Sequence, residues 1–385
     1  MEYSKNEVMQ YVTEEDVKFI RMAFCDIYGR QKNVSVMPQE LNRAFEYGIA
    51  IDASAIAGFG GEIRSDLLLH PDPSTLSVLP WRPDHGRVVR MFCDITYPDG
   101  TPFEADCRSI LKRTVADAEK EGIDFFFGAE MEFYLFKRDD EGEPTKIPYD
   151  HAGYMDIAPE DKGENVRREI CLDLELMGIK PESSHHEEGP GQNEIDFRYS
   201  SPVKAADDAI TFRSAVNTIA ARSGLHINVS AVSADGRDVM PAVIAGMLEH
   251  AYDMTAFLNP TDESYLRFGS HKAPGYISWS AENRSQLIRI PAADSRYKRA
   301  ELRSPDPACN PYLAFALVIR AGLDGINTGA ALPKECAMNL FTASDDVTEK
   351  IRRLPQSLAE AKNAAAHSAF IASALPEGII DNYTK

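Results

Sequence analysis

The sequence predicts an α+β fold with a largely antiparallel sheet, and three observations lead there. Strand-like and helix-like stretches are mixed without a regular βαβ rhythm. Several strand-like stretches place ionisable residues at every second position with apolar residues between them, the mark of a sheet with one apolar face. No repeat, low-complexity tract or Walker-type loop breaks the pattern. At 385 residues the chain can bury a large core in two domains.

Taken in order, "VKFIRMAFCDIYGRQKNVSV" reads as strand, turn at "DIYGR", strand. "VVRMFCDITYPDG" is a further strand ending in a turn at Pro98-Asp99-Gly100. A helix follows, with Asp106 as N-cap and Ile110, Leu111, Val115 and Ala118 on its inner face. The domain boundary is placed near Gly100, giving a small N-terminal domain, 1–100, and a larger one, 101–385. Val239 to Leu258 is helical by its apolar spacing at Val243, Met247 and Met254. "NPYLAFALVIRAGLDGI" is helical too, with Pro311 suited to the first turn. From Asp345 onward the tail reads as two or three amphipathic helices.

A formal charge of −19 argues against a nucleic-acid partner or an anionic membrane surface. The six cysteines form no CxxC pair and read as reduced thiols. The longest apolar stretch, Tyr312 to Ile319, is too short to span a bilayer, and the first residues have no apolar signal core. A soluble, cytoplasmic protein is expected.

The chemistry lies in the alternation. In "GAEMEFYLF", Glu130 and Glu132 project to one side, and Ala129, Met131, Phe133 and Leu135 to the other. Gln192, Glu194, Asp196 and Arg198 share a side of "QNEIDFR". His226, Asn228 and Ser230 do so in "HINVSAV", and Arg299, Glu301 and Arg303 in "YKRAELRS". One wet sheet face explains any single strand. The dominance of Glu, His and Arg over Lys, Thr and Ser points beyond solvation.

With Glu187 of "SHHEEGPGQNE", the set Glu130, Glu132, Glu187, Glu194, Glu301 and His226 is carboxylate-rich with one imidazole. Such donors suit Mg²⁺ or Mn²⁺, and five carboxylates exceed the needs of one ion, so two ions are expected. Arg267, Arg284, Arg289, Arg299 and Arg303 crowd one short region of an acidic chain. Surface salt bridging would account for them, as would capture of carboxylate and phosphate oxygens. Metals beside arginines suggest phosphoryl transfer from a nucleotide to an anionic acceptor.

Seven stretches carry a family resemblance: "FCDIYGRQKNVSVMP", "SDLLLHPDPST", "GAEMEFYLF", "HHEEGPGQNEIDFR", "SGLHINVS", "NRSQLIRIPAA" and "RAELRSPDPACNPYLAFALVIRAGLDGI". In that order they resemble the glutamine synthetase family, class I bacterial type, over essentially the whole chain. The resemblance implies a β-grasp-like N-terminal domain and a catalytic domain with a curved antiparallel sheet flanked by helices. It further implies a dodecamer of two stacked hexamers with active sites between subunits. Its substrates would be glutamate, ammonia and ATP, joined through γ-glutamyl phosphate with two Mg²⁺ or Mn²⁺ per site.

By match to the family, Glu132, Glu187 and Glu194 would hold one metal, and Glu130, His226 and Glu301 the other. Arg267, Arg284 and Arg303 would bind glutamate carboxylates or the transferring phosphoryl group. Arg289 would touch nucleotide phosphate, and Ser230, with Asn228 beside it, would border the nucleotide. Asp52 would bind and deprotonate ammonium.

Three departures stand out. The family usually has a longer segment between "AITFRSAVNTIAAR" and "SGLHINVS", where here Arg222 runs into Ser223. A true deletion would damage amino-acid binding, and the well-matched flanks favour a segment merely passed over. Lys272 stands before Ala273-Pro274 where relatives usually carry a flap glutamate, which leaves room for a γ-glutamyl ligase using a larger amine. Phe341 ends "NLF" where some relatives carry a modifiable tyrosine, so adenylylation there is not expected. A catalytically weak, ring-forming relative is the remaining alternative. A guanidino kinase is disfavoured by the N-terminal match.

Overall fold

The computed structural model describes residues 3–60, 65–80, 86–139, 141–219, 225–269, 273–292 and 298–385. Helix α1 (Lys5–Glu14) precedes strands β1 (Val17–Cys25) and β2 (Gln31–Val36). Helix α2 (Leu41–Tyr47) leads to β3 (Ile49–Asp52), β4 (Asp66–Pro71), β5 (Ser77–Val78) and β6 (Arg87–Thr96). Next come α3 (Cys107–Lys120), β7 (Ile123–Tyr134), β8 (Phe136–Arg138) and β9 (Pro144–Pro148). They are followed by α4 (Glu164–Leu176), β10 (Pro181–His186), β11 (Gln192–Phe197), α5 (Pro202–Ile219) and β12 (Leu225–Ser233). After α6 (Met240–Leu258) and α7 (Asp262–Tyr265) lie β13 (Trp279–Ala281), β14 (Ile288–Ile290) and β15 (Ala300–Leu302). Helix α8 (Pro311–Asn327) and four short helices close the chain: α9 (Asp345–Thr348), α10 (Leu358–His367), α11 (Ala369–Ala374) and α12 (Glu377–Thr384). Breaks at Pro355, Ser368 and Pro376 divide the tail more finely than apolar spacing suggests.

Two compact units emerge. The first comprises Met1–Ser109, Tyr134–Ile195 and Asp207–Ala221. Its sheet runs β2-β1-β6-β4-β3, with β5 also on β6. β1 and β2 pair antiparallel from Ile20↔Val36 to Cys25↔Gln31. Their turn is closed by Asp26 Oδ1, which accepts from the backbone N–H of Tyr28 at 3.0 Å and of Arg30 at 2.9 Å. β1 and β6, by contrast, run parallel, with Ala23 opposite Phe92. A parallel pair needs a long crossover, and the chain between β1 and β6 supplies it. Ile20, Met22, Leu41, Leu67, Leu69 and Met91 are fully buried here. Asp106 caps α3 as expected, its Oδ1 accepting from Arg108 N at 3.2 Å.

The second unit comprises Ile110–Phe133, Asp196–Ala206 and Arg222–Lys385. Its strands run in the order β7-β12-β15-β14-β13. β7 and β12 pair antiparallel from Leu225↔Met131 to Ser233↔Ile123, while β13 and β14 pair parallel. Odd-numbered β7 residues are buried as the alternation requires: Ala129, Met131 and Phe133 are at most 3% exposed. Helix α8 covers this apolar side, stacking Phe315 on Phe127 with ring centroids 4.3 Å apart. Asn310 caps α8 through Tyr312 N at 3.0 Å, with Pro311 at its first position.

All six cysteines are free, and Cys25, Cys93, Cys107 and Cys309 are buried. Burial pushes the Cys25 and Cys93 thiols well above their usual range. Among the described residues, no helix is long and apolar enough to cross a membrane.

Helices α6 and α8 meet backbone to backbone. A Cβ on Gly246 would lie 2.0 Å from the Ala321 carbonyl oxygen, and one on Gly325 would lie 2.1 Å from that of Ala242. Gly246→Ala is therefore expected to destabilise the second unit by about 3 kcal/mol, the upper range for overpacking. The effect would be read from the urea midpoint of unfolding by circular dichroism.

Candidate functional site

In the second unit, strand register assembles the ionisable face. His226 lies opposite Glu130 across β7 and β12. Asn228 lies opposite Glu301 across β12 and β15, and Arg289 of β14 opposite the same glutamate. His226 Nδ1 sits 3.3 Å from Glu130 Oε2, 3.5 Å from Glu301 Oε1 and 3.9 Å from Glu132 Oε1. Two of these charges have little access to water, Glu132 at 6% exposed and Glu301 at 1%, while Glu130 is half-buried.

Positive groups compensate them. Arg289 Nη1 donates to Glu301 Oε2 at 2.8 Å, and Arg303 Nη1 donates to Glu301 Oε1. Asn228 bridges two charges, donating to Glu130 Oε1 at 2.8 Å and accepting from Arg299 Nε at 2.9 Å. Burial works against ionised Glu130, yet the hydrogen bonds and charge of His226, with Asn228 and Arg299, hold its carboxyl well below the usual range. Burial and Arg303 likewise oppose charge on His226, but Glu130, Glu132 and Glu301 raise its pKa on balance.

Arg284 and Arg303 lie near enough to Arg289 to act on its charge. Burial lowers the Arg289 pKa, Glu301 works against that, and the like charges of Arg284 and Arg303 reinforce it. Arg289 Nε and Arg303 Nε and Nη2 are buried donors without a hydrogen-bond partner. Such donors fit an anion. Arg284 is exposed, and Ser230 is half-buried on β12. Arg267 is anchored on Asn259 Oδ1 at 3.2 Å, the Ser304 carbonyl at 3.1 Å and Asp306 Oδ2 at 3.2 Å.

The first unit holds a second cluster. β10 ends at His185 and His186, and a short turn through Gly189 and Gly191 brings β11 back alongside. His185 Nε2 lies 3.4 Å from Glu187 Oε1 and 3.7 Å from Glu194 Oε2. That nitrogen is buried and makes no hydrogen bond. Alternation does not single out His185, although it sits beside Glu187 in "SHHEEGPGQNE".

Both clusters pass the test of donor chemistry for a divalent ion. One ligand atom each from Glu130, His226 and Glu301 lie within 4.8 Å of one another, as do those of His185, Glu187 and Glu194. Carboxylate-rich sets with one imidazole suit Mg²⁺ or Mn²⁺. Of the set expected for one ion, Glu187 and Glu194 lie in the first unit and Glu132 in the second. Asp52, at the end of β3, is exposed, and hydrogen bonds from Ser54 Oγ at 2.6 Å and Ser54 N at 2.9 Å lower its pKa. Lys272 and the Arg222–Ser223 junction lie outside the described residues.

Comparison with known proteins gives a consistent family. The family model "Glutamine synthetase, beta-Grasp domain" matches residues 16–98. The model "Glutamine synthetase, catalytic domain" matches in two pieces, 104–239 and 229–385. The glutamine synthetase of Methanosarcina mazei is 43% identical over 413 aligned residues, covering 99% of this chain and 92% of that protein. That of Clostridium saccharobutylicum is 40% identical, covering 99% and 93%. Both alignments are longer than this chain, so these relatives carry residues with no counterpart here. A solved structure, "GmaS/ADP complex-Conformation 1", superposes with a TM-score of 0.87 at 26% identity, covering 98% of this chain and 93% of that one.

The Arg289–Glu301–Arg303 arrangement makes a stability prediction. Glu301→Gln would leave two arginines without their counter-charge, at a cost of about 3–5 kcal/mol in urea unfolding. Adding Arg303→Met should recover part of that loss. A double variant no more stable than the single one would contradict this account.

Proposed function

The chain belongs to the glutamine synthetase family, and from the site above we propose that it is an ATP-dependent glutamate–ammonia ligase that forms glutamine through γ-glutamyl phosphate. The observation that carries the reading is the second unit's Glu130–His226–Glu301 cluster beside Arg289 and Arg303, which keep buried donors without partners. Phosphoryl transfer to an anionic acceptor needs that combination.

On this reading, Glu130, His226 and Glu301 hold one divalent ion, Glu187 and Glu194 are ligands of the other, and Glu132 is a metal ligand. The ions, when bound, neutralise charge on the transferring phosphoryl group. Arg303 and Arg284 orient the oxygens of glutamate and of the phosphoryl group, with Arg267 a further contact to glutamate. Arg289 engages nucleotide phosphate, with Asn228 and Ser230 beside the nucleotide. The solved GmaS structure is a complex with ADP, which supports a nucleotide here. A carboxylate is a poor acyl donor until phosphorylated, and ammonium is no nucleophile until it loses a proton. Asp52, kept ionised by Ser54, is suited to bind ammonium and accept that proton. Two stacked hexameric rings in the cytoplasm remain the expected assembly and location.

The test is glutamate-dependent phosphate release from ATP with ammonia, ethylamine, ethanolamine or polyamines as acceptors. Turnover with ammonia is expected. Turnover only with a larger amine would replace the acceptor, and none with any acceptor would favour a scaffold. Glu132→Ala should lower kcat about a thousandfold, roughly 4 kcal/mol, and a normal rate would refute the ligand assignment. Metal uptake also requires neutral His226, whose pKa is raised above the ordinary 6.5. Mn²⁺ affinity at that cluster should therefore start to fall above pH 6.5 on acidification, then drop about tenfold per pH unit, as read by titration calorimetry.

A further inference from the structure

We propose that His186 and Asp150 are positioning residues that fix the Glu187 carboxylate for its divalent cation, an inference that rests on the reading of Glu187 as a metal ligand. His186 is fully buried, and both ring nitrogens are engaged. Nδ1 lies 2.6 Å from the Glu187 carbonyl oxygen, and Nε2 lies 2.9 Å from Asp150 Oδ1.

The carbonyl that His186 grips belongs to the peptide unit joining Glu187 to Glu188. The N–H of the same unit, on Glu188, donates to Glu187 Oε2 at 2.9 Å. A peptide unit is rigid and planar, so turning one end turns the other. His186 thus controls the direction of the N–H that holds the Glu187 carboxylate. The backbone N–H of Glu187 is tied in addition to the Gln192 carbonyl at 2.8 Å.

Asp150 gives His186 a fixed anchor. Its Oδ1 also accepts from Gly191 N at 3.1 Å, and its Oδ2 accepts from Lys162 N at 2.9 Å. Gly191 sits at φ +68°, and a Cβ there would lie 2.6 Å from the Leu135 carbonyl oxygen, so the turn admits only glycine. Asp150, Asp161 and His186 themselves bring ligand atoms within 4.8 Å of one another. Their donors and acceptors are already engaged, however: Asp161 Oδ1 and Oδ2 accept from Arg167 at 3.2 and 2.5 Å, and Arg167 Nη1 also donates to Asn193 Oδ1 at 2.5 Å. This group is the scaffold of the neighbouring cluster, and no cation is needed to hold it together.

The test is Mn²⁺ titration followed by electron paramagnetic resonance of the free ion, on the full chain and on His186→Leu, Asp150→Asn and Glu187→Gln. The full chain is expected to take up ions at both clusters. His186→Leu should weaken by about tenfold the same ion that Glu187→Gln loses, leaving the other ion unchanged and circular dichroism native. Asp150→Asn should shift that ion in the same direction by less, and it decides the matter should His186→Leu not fold. Native affinity for both ions in the folded variants, even with a lowered Tm, would overturn the positioning role alone. An unaltered chain that takes up no Mn²⁺ would overturn the metal reading itself and the positioning role with it.

Discussion

Glu301 is a carboxylate almost sealed from water, gripped by Arg289 on one side and Arg303 on the other. The rest of the second unit's ionisable face depends on that balance. Glu130, Glu132 and Glu301 lie on the side of the sheet that α8 does not cover, close enough to repel one another in a poorly hydrated setting. His226 sits among them, and Arg299 reaches Glu130 through the Asn228 amide. The arginines nevertheless keep buried donors without partners. Cations and anions arriving together would complete one another's charge balance.

Much of this face is legible because side-chain direction in a strand has period two. Glu130, Glu132, His226 and Glu301 can be assigned to one side from the letters alone, and the burial of Ala129, Met131 and Phe133 bears out the other. Alternation gives the side but not the partner. That His226 meets Glu130, 96 residues away, follows from β7–β12 register. Resemblance alone marks Asn228 as a neighbour of the nucleotide, while its hydrogen bonds make it a bridge between Glu130 and Arg299.

Other features have no periodic signature. His185 lies beside Glu187 and Glu194 because a tight turn folds β11 back on β10, and turn geometry is not carried by alternation. The parallel pairing of β1 with β6 depends on the path of the intervening chain, which apolar spacing does not reveal. Roles for Asp52, Arg267 and Ser230 come only from resemblance, since nothing local marks an exposed aspartate, an anchored arginine or a half-buried serine as functional.

The sealed cysteines give the chain an internal clock. Cys25, Cys93 and Cys107 lie in one unit and Cys309 in the other, and none forms a disulfide. An alkylating reagent needs both access and a thiolate, and burial withholds both, with Cys25 and Cys93 doubly protected by their raised pKa. Labelling of these sulfurs, mapped by peptide, therefore times the breathing of each unit separately, without any dye or engineered probe.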